Sequence, residues 1–408
     1  MSAPPTEVHR ATVATFAAFG ASGFAFASWF ARIPQFRDQL HLGAAELGLT
    51  LLAGSAGAVL ALVLSGPFVA RFGSRRVVTV SSVLFAAGMA TMAVGALVGL
   101  APAVIGLFVL GSGTGAWDVA MNLQGAVVER RLDRPIMSRL HAGFSVGTVV
   151  GALAGAAMVA LHVPLAVHLT AIAVIVALAV PGFARGFLPD IEGPQGGDAP
   201  APRTGFAAWR EPRTLLIGLF VLAFTLAEGA GSDWIVIAAV DGHHTSAALG
   251  TLAFAAFLAA MTIGRWCGPW LLHRYGRVAV LRALALTGLV GTALFVFTPT
   301  LPLAVAGTVL WGLGASLGFP VGMSAAAEDP EAAAGRVSVV ASIGYCAFLA
   351  GPPLLGLLGD QVTVLRALTA VAVLFGFAAL LTGASMRGES ATTDPSVRTP
   401  PRRPVDRV

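Results

Sequence analysis

The chain has no lysine and few charges of either sign. Its 408 residues include 25 cationic side chains, all of them arginine, and only 11% of the residues are charged, whereas 56% are hydrophobic. A water-soluble domain carries about 25% charged residues, so no soluble fold of this length keeps so much apolar side chain from water. The missing lysine also excludes a phosphate-binding P-loop, because that motif depends on its lysine. A lipid bilayer is therefore the expected solvent.

Cysteines and clustered polar groups are also scarce. The 2 cysteines, Cys267 and Cys346, lie in separate apolar runs, which excludes a disulfide framework and predicts two buried, inert thiols. The net charge of +5 comes from arginines in short clusters rather than on a basic face with interleaved aromatics, so nucleic-acid binding is not expected. No nucleophile with a nearby base and no metal-ligand spacing is present. The sequence therefore predicts neither an enzyme nor a cofactor or metal site.

Twelve apolar runs are long enough to cross a membrane, because a spanning helix needs about 20 residues. They occupy residues 11–31, 45–69, 77–99, 101–127, 140–161, 164–187, 213–240, 246–271, 278–298, 301–326, 337–359 and 363–386. The expected fold is an all-α membrane protein with six-helix bundles at 1–187 and 213–387. Residues 188–212 are rich in Pro, Gly and charge and predict a flexible linker. Residues 388–408 are too polar for a core and predict a disordered tail.

Arginine is distributed unevenly among the segments that connect these runs. One set of loops contains Arg71, Arg75, Arg76, Arg130, Arg131, Arg134, Arg139, Arg274 and Arg277. The opposite side holds Arg32, Arg37 and Arg366. Since cationic loops resist translocation, the crowded side and both termini are expected in the cytoplasm, with the chain in the inner membrane. Arg32 and Arg37 then lie at the outer mouth, where they either steer an anionic substrate or anchor their loop beside Asp38.

One phrase occurs twice, half a chain apart. "GPFVARFGSRRVV" occupies residues 66–78 and "GPWLLHRYGRVAV" residues 268–280, in each case after the second run of a six-run half. The glycine after the aromatic residue permits a tight turn, and the arginines are suited to bind carbonyls at helix ends. The repeat predicts a duplicated bundle whose halves rock about a central site. The expected cytoplasmic gate comprises Gly66, Arg71, Gly73, Arg75, Arg76, Glu129, Arg274, Gly276 and Arg277.

These two phrases resemble the GxxxD-R-x-G-R-R signature of the major facilitator superfamily. The resemblance extends over all twelve runs and includes "WGLGASLGFPVG" at 311–322 and "GPPLLGLLGD" at 351–360. More local stretches resemble fucose permease relatives and the rhizopine-locus membrane protein: "WFARIPQFRDQL" at 29–40, "DVAMNLQGAVVERR" at 118–131 and "EGAGSDW" at 228–234. The resemblance implies a monomeric secondary transporter whose first, fourth, seventh and tenth helices line a cavity.

The chain departs from that signature at its acidic position. Ala70 in the first half and His273 in the second stand where the family has Asp. Gating schemes taken from other members therefore do not transfer directly. Glu129 and Glu328 are the candidate replacements for the missing acid.

Few ionisable residues lie within the apolar runs. Of 20 acidic residues, only Asp118, Glu228 and Asp233 lie deep inside these runs, away from their ends, and Arg265 is the matching base. A charge in hydrocarbon costs about 2.5–3.5 kcal/mol even on insertion scales, so such groups usually line a water-filled path or pair with one another. Asp118 and Asn122 share a helix face at i, i+4 spacing. They bind either a polar substrate or a proton, or else they only bond two helices together.

Glu228 is the second candidate for proton or substrate binding, with a buried structural hydrogen bond as the alternative. Arg265 forms a salt bridge between the halves or extends to the headgroups. Gln124 and Trp311 complete the predicted substrate and proton site, Gln124 beside Asp118 and Trp311 as a stacking surface for a ring.

Transport of a small polar solute, driven by a proton gradient, is the function that these features favour. Two alternatives remain at this point: export of an amphipathic compound or drug, and a membrane sensor that transports nothing.

Overall fold

The computed structural model of the chain describes residues 5–134, 136–190, 208–329 and 332–386. Within these ranges, twelve helices are long and apolar enough to cross a membrane. We number them spans 1 to 12 in chain order: Thr6–Phe30, Ala44–Phe72, Ser74–Gly95, Leu100–Leu132, Met137–Ala160, Leu165–Ala184, Pro212–His243, Ala247–Tyr275, Arg277–Phe297, Leu301–Ala326, Gly335–Val362 and Val364–Ser385. The predicted all-α fold with twelve spans is confirmed.

Two local features were not predicted from the sequence. A short helix, Ile33–Leu40, lies between spans 1 and 2, with Pro34 in its first turn and Phe36 buried against Trp29. Span 10 is divided into the helices Leu301–Ala315 and Gly318–Ala326. Both features bear on the site, because the short helix lies where the two halves meet and the division exposes a backbone carbonyl inside the protein.

The alternation of spans defines two sides of the molecule. Within the described residues, the arginine-rich side contains the connections at residues 73, 133–134, 136, 276, 327–329 and 332, together with the start of span 1 and the end of span 12. The arginine-poor side contains the connections at residues 31–43, 96–99, 161–164, 244–246, 298–300 and 363. These two names are used below.

Close packing within each half depends on glycine. A Cβ on Gly111 of span 4 would lie 1.9 Å from the carbonyl oxygen of Gly54 in span 2. A Cβ on Gly147 of span 5 would lie 2.2 Å from the carbonyl oxygen of Gly20 in span 1. No side chain fits at either point, so the helix backbones touch directly, as is common among spans that have no hydrophobic effect to hold them together in lipid.

The two halves meet through span 2 against span 11 and span 5 against span 8. A Cβ on Gly48 of span 2 would lie 2.4 Å from the carbonyl oxygen of Pro352, and one on Gly356 of span 11 would lie 2.4 Å from that of Ala44. Gly48 and Ala44 belong to the beginning of span 2, and Pro352 and Gly356 to the second half of span 11. The tight contact between halves therefore lies towards the arginine-poor side.

The repeated phrase forms the same turn in both halves. Gly73 connects spans 2 and 3 with φ 80° and ψ 154°, and Gly276 connects spans 8 and 9 with φ 77° and ψ 155°. A side chain is strained in this conformation, so glycine is required there. The tight turn is confirmed, although it takes one residue rather than a whole loop. Arg71, Arg75 and Arg76 are consequently helical.

The prediction for the cysteines is wrong: Cys267 and Cys346 are exposed. An apolar run does not distinguish a buried helix face from one that meets lipid, and the neighbouring Trp266 is also exposed. Of the predicted linker, residues 188–190 belong to the described first half and Leu188 is buried. The remainder of the linker up to residue 207 and the predicted tail at 388–408 lie outside the described residues.

Candidate transport site

Asp118 and Asn122 form a polar pair in the middle of span 4. The amide nitrogen of Asn122 donates to the carbonyl oxygen of Asp118 at 2.9 Å and to its carboxylate oxygen Oδ1 at 3.2 Å. Both residues are half-buried, and Asp118 interacts electrostatically with Tyr345 of span 11. Asp118 therefore lies within electrostatic reach of the second half, and its hydrogen-bond partner Asn122 carries no charge.

Glu228 and Arg265 form an ion pair inside the second half. Nη2 of Arg265, in span 8, donates to both carboxylate oxygens of Glu228, in span 7, at 2.8 and 2.9 Å. Nε of the same guanidinium donates to the carbonyl oxygen of Ser316 at 3.2 Å. Ser316 lies at the division of span 10, where the helix leaves this carbonyl free. One arginine thus ties together three spans, and the predicted salt bridge between the halves is replaced by one within a half.

His141, at the start of span 5, brings a first-half group towards this pair. It interacts electrostatically with Arg265, and its ring packs edge-on against Phe19 of span 1 with 5.2 Å between ring centroids. The side chains of Glu228 and Arg265 keep 26% and 29% of their surface accessible. We use the name facing polar cluster below for these ionisable groups of spans 4, 5, 7 and 8: Asp118 and His141 in the first half, and Glu228 and Arg265 in the second.

The structure does not bring Gln124 or Trp311 to this cluster. Gln124 is 0% exposed: its amide nitrogen donates to Ser74 Oγ and to the carbonyl oxygen of Leu188, and its oxygen accepts from the Leu188 N–H. Trp311 is also 0% exposed and donates its indole N–H to the carbonyl oxygen of Ala227 at 3.1 Å. Both residues hold helices together, so the prediction that they contact substrate does not fit this arrangement.

Asp190 takes up the position of the missing acid in the first half. Its carboxylate accepts from the backbone N–H of Ser74 at 2.5 Å and from Ser74 Oγ at 2.6 Å. Ser74 is the first residue of span 3, where backbone N–H groups lack helical partners and favour a negative charge. The sequence did not reveal this bond, because Asp190 lies 116 residues away in the predicted linker.

Glu328 has the corresponding role in the second half. It binds Arg277, the first residue of span 9, and accepts from Nη2 of Arg213 at 2.6 Å. Burial acts to raise the pKa of Glu328, but its bonds with Arg277 and Arg213 outweigh burial and lower it. Nε of Arg277 also donates to the carbonyl oxygen of Met386, at the end of span 12. Of the two candidate replacements, Glu328 binds the signature arginine.

Glu129, the other candidate, caps the next helix instead. Its Oε2 accepts from the N–H groups of Ile136 and Met137 at 2.7 and 2.8 Å. In the described part of the chain, the other predicted gate residues form no hydrogen bond or ion pair with the opposite half. Arg71 lies over the ring of Phe72, and a Cβ on Gly66 would meet nothing within 4 Å. Exposed on the arginine-rich side are Arg75, Arg76 and Arg274.

Ionic and hydrogen bonds between the halves close the arginine-poor side. Arg37 binds Asp241 of span 7, with Nη2 to Oδ1 at 3.1 Å, and also Asp38. Burial acts to lower the pKa of Arg37, but the bonds with Asp241 and Asp38 outweigh burial and raise it. Asp360 of span 11 accepts from the N–H of Ala44 at 3.0 Å. Of the two alternatives that the sequence offered, steering an anion or anchoring the loop, this arrangement fits anchoring. Arg37 anchors its loop to Asp241 in the other half.

Arg32 is buried beneath this contact. Nη2 donates to the carbonyl oxygen of Val163 at 2.7 Å, which joins the connection after span 1 to the one after span 5. Burial lowers the pKa of Arg32. The anchoring alternative describes this residue as well.

Ionisable groups facing each other across two six-helix halves, closed on one side, define the class of secondary membrane transporters. The sequence pattern of the Major Facilitator Superfamily matches residues 13–346. The chain belongs to this superfamily, as the resemblance implied, and it is a transporter rather than an enzyme. In the described part of the chain, no three His, Cys, Asp or Glu side chains come together as a metal site.

Individual relatives agree with this assignment. An uncharacterised transporter of Sinorhizobium fredii is 31% identical over 356 residues, which cover 85% of this chain and 91% of that protein. Membrane protein MosC of Rhizobium meliloti is 28% identical over 359 residues, covering 86% and 84%. Among solved structures, FucP in its outward conformation has a TM-score of 0.64 at 17% identity, covering 91% of this chain and 98% of that chain. At that identity the similarity shows the fold alone.

Proposed function

We propose that this protein moves a small polar solute across the inner membrane by alternating access, driven by protons that bind Asp118. The observation that carries the proposal is the difference between Asp118 and Glu228, two of the three acids deep inside the apolar runs. Glu228 is neutralised by Arg265, whereas the recorded hydrogen-bond partner of Asp118 is the uncharged amide of Asn122. A carboxylate away from bulk water with no counter-charge is suited to accept a proton.

Orientation follows from the distribution of arginine. The arginine-rich side faces the cytoplasm by the positive-inside rule. The closed contacts at Arg37 and Asp360 then lie outside, so this conformation is closed to the outside. A single chain carries the whole site, so the working unit is a monomer. A fucose–proton symporter with the same fold supports proton coupling.

The substrate class follows from the polar cluster and from Asn122. Carboxylate, amide, imidazole and guanidinium groups together offer hydrogen-bond donors and acceptors on both halves. A polyhydroxylated or otherwise polar solute fits these groups better than an amphipathic one. A thermal-shift screen of the purified protein with sugars, polyols, nucleosides, amino acids and lipophilic dyes tests this class, because a bound ligand stabilises the folded state. Stabilisation by the dyes alone would favour the export alternative.

The coupling role is tested in proteoliposomes with a hit from that screen. Asp118→Asn keeps the shape of the side chain and removes the titrating proton. We expect it to lose accumulation driven by a pH gradient while it retains exchange of labelled for unlabelled solute. Asp133→Asn is the matched control: Asp133 is exposed in the connection after span 4, and its positive φ suits Asn as well as Asp, so the variant keeps gradient-driven accumulation. Full accumulation by Asp118→Asn would show that the proton binds elsewhere.

A further inference from the structure

A basic cleft lies between spans 3 and 6, away from the facing polar cluster. It has a volume of about 540 Å³ and is lined by Arg75, Arg76, Thr79, Val80, Pro181 and Arg185. Arg75 and Arg76 belong to the first turn of span 3, and Arg185 follows the last residue of span 6. The cleft therefore lies at the arginine-rich end of both helices, at the depth where a bilayer has its headgroups.

The three arginines are available to an anion. All three are exposed, and within the described ranges none has a recorded carboxylate partner. Asp190, the first acid after Arg185 in the sequence, is occupied by the N–H and hydroxyl of Ser74. Guanidinium groups bind phosphate through paired N–H donors. Three of them around one cleft offer more N–H donors and more positive charge than a single surface arginine.

Both helices continue from the cleft as apolar stripes. In span 3, Val80, Val83 and Leu84 follow Arg76 at helical spacing, and Val80 is 67% exposed. In span 6, Val174 and Leu178 precede Pro181 and Arg185 on one face, and Leu178 is 73% exposed. Large exposed apolar side chains in a spanning helix meet hydrocarbon. A molecule with acyl chains below an anionic group matches both parts of this surface.

We propose that this cleft binds an anionic phospholipid, with its phosphate held by Arg75, Arg76 and Arg185 and its acyl chains along Val80 and Leu178. Basic pockets between spanning helices bind anionic headgroups in this way. The bound lipid holds spans 3 and 6 together close to the end of span 6, where the segment that joins the two halves begins. The site is independent of which solute is transported and of the direction of transport.

The test counts lipids retained by the protein after reconstitution into vesicles of phosphatidylethanolamine and phosphatidylglycerol. The protein is extracted in mild detergent and its bound lipids are counted by native mass spectrometry. We expect wild type to retain phosphatidylglycerol in preference to phosphatidylethanolamine. The triple variant Arg75→Gln, Arg76→Gln, Arg185→Gln retains about tenfold less, because each arginine near the headgroups adds to the affinity.

A matched control separates this cleft from general positive charge. Arg130→Gln, Arg131→Gln, Arg134→Gln removes the same charge from the same side of the protein outside the cleft, and it retains phosphatidylglycerol at the wild-type level. Replacing the three cleft arginines by lysine retains the lipid in part, because lysine keeps the charge without the paired N–H donors of arginine. Equal retention by the two glutamine triples would contradict the proposal.

Two further experiments test whether free phosphate or the linker, rather than a lipid, occupies the cleft. Inorganic phosphate in excess leaves the lipid bound; displacement of the lipid by phosphate would show that the cleft is a site for free anions and overturn the proposal. The acids Glu192 and Asp198 follow in the linker sequence. If wild type did not retain phosphatidylglycerol but the double variant Glu192→Gln, Asp198→Asn did, the linker would be shown to fill the cleft. That result would also overturn the proposal.

Discussion

At the scale of single residues, the partner decides what an interior carboxylate does. Asp118 and Glu228 are both isolated acids in apolar runs, and the sequence offers no means of ranking them. In the folded protein, Arg265 neutralises Glu228 and leaves Asp118 with an amide. The two side chains therefore differ in role, with Glu228 positioned to hold spans together and Asp118 free to take a proton.

The coupling between Glu228 and Arg265 is measurable as a double-mutant cycle. Arg265→Gln removes the counter-charge of Glu228 and lowers the free energy of unfolding by about 1–3 kcal/mol, less than for a fully buried pair because both side chains keep some access to water. The double variant Glu228→Gln, Arg265→Gln recovers to within about 1 kcal/mol of wild type, since no charge is then left unpaired. Thermal unfolding in detergent gives the values.

The exposed Arg134→Gln is the control for loss of one positive charge and leaves stability unchanged. A double variant as unstable as the sum of the two single variants would show that the pair does not couple.

The sequence interpretation and the structure place Gln124 and Trp311 differently for one reason. Gln124 was assigned to the substrate because it follows Asp118 closely in sequence. A helix turns about 100° per residue, and six residues on, Gln124 points to Ser74 and Leu188 instead. Trp311 is expected at the site from its residue type and its place in the tenth run, and neither shows which helix lies beside it. The face of a helix that meets the opposite half follows from packing, which no local pattern records.

At the scale of helices and turns, the repeated phrase carries most of the predictable structure. It predicted a glycine turn at the same place in each half, and both glycines have positive φ. It did not predict the length of the turn, because Arg and Ser suit either a loop or a helix start. It also did not predict the acids that complete the turn, since Asp190 and Glu328 come from other helices' ends.

The two turn glycines are expected to be intolerant of alanine. Gly73→Ala and Gly276→Ala force a side chain into a conformation that costs about 1–3 kcal/mol, and a Cβ on Gly73 would also lie 2.9 Å from Asp190 Oδ2. Gly66→Ala is the matched control from the same phrase: the position is helical and a Cβ would meet nothing within 4 Å. Alanine there raises stability by up to about 1 kcal/mol.

Melting temperatures of the three purified variants decide the point. Equal losses of melting temperature in all three variants would mean that the turn conformation does not matter. The phrase would then be repeated in the two halves for a different reason.

At the scale of the whole molecule, the twelve spans and the two sides of the molecule could be predicted from the sequence, because a bilayer imposes length and charge rules on every helix. The contacts that close the arginine-poor side between the halves could not be predicted from the sequence. Arg37 and Asp241 are separated by 204 residues, and Ala44 and Asp360 by 316. These contacts specify one conformation of a protein that must adopt another, and opening the arginine-poor side requires both to break.

The central claim is that proton binding at Asp118 sets which side is open. Distances measured by double electron–electron resonance test it in a Cys267→Ser, Cys346→Ser background. Spin labels at Leu161 and Gln361 report the arginine-poor side, and labels at Ser138 and Ser338 the arginine-rich side; all four residues are exposed.

Lowering the pH is predicted to shift the two pairs in opposite directions in wild type, one lengthening as the other shortens. Asp118→Asn, which cannot change its charge, is predicted to give pH-independent distances for both pairs. Distances that respond to pH identically in wild type and Asp118→Asn, or that lengthen together on both sides, would contradict the account.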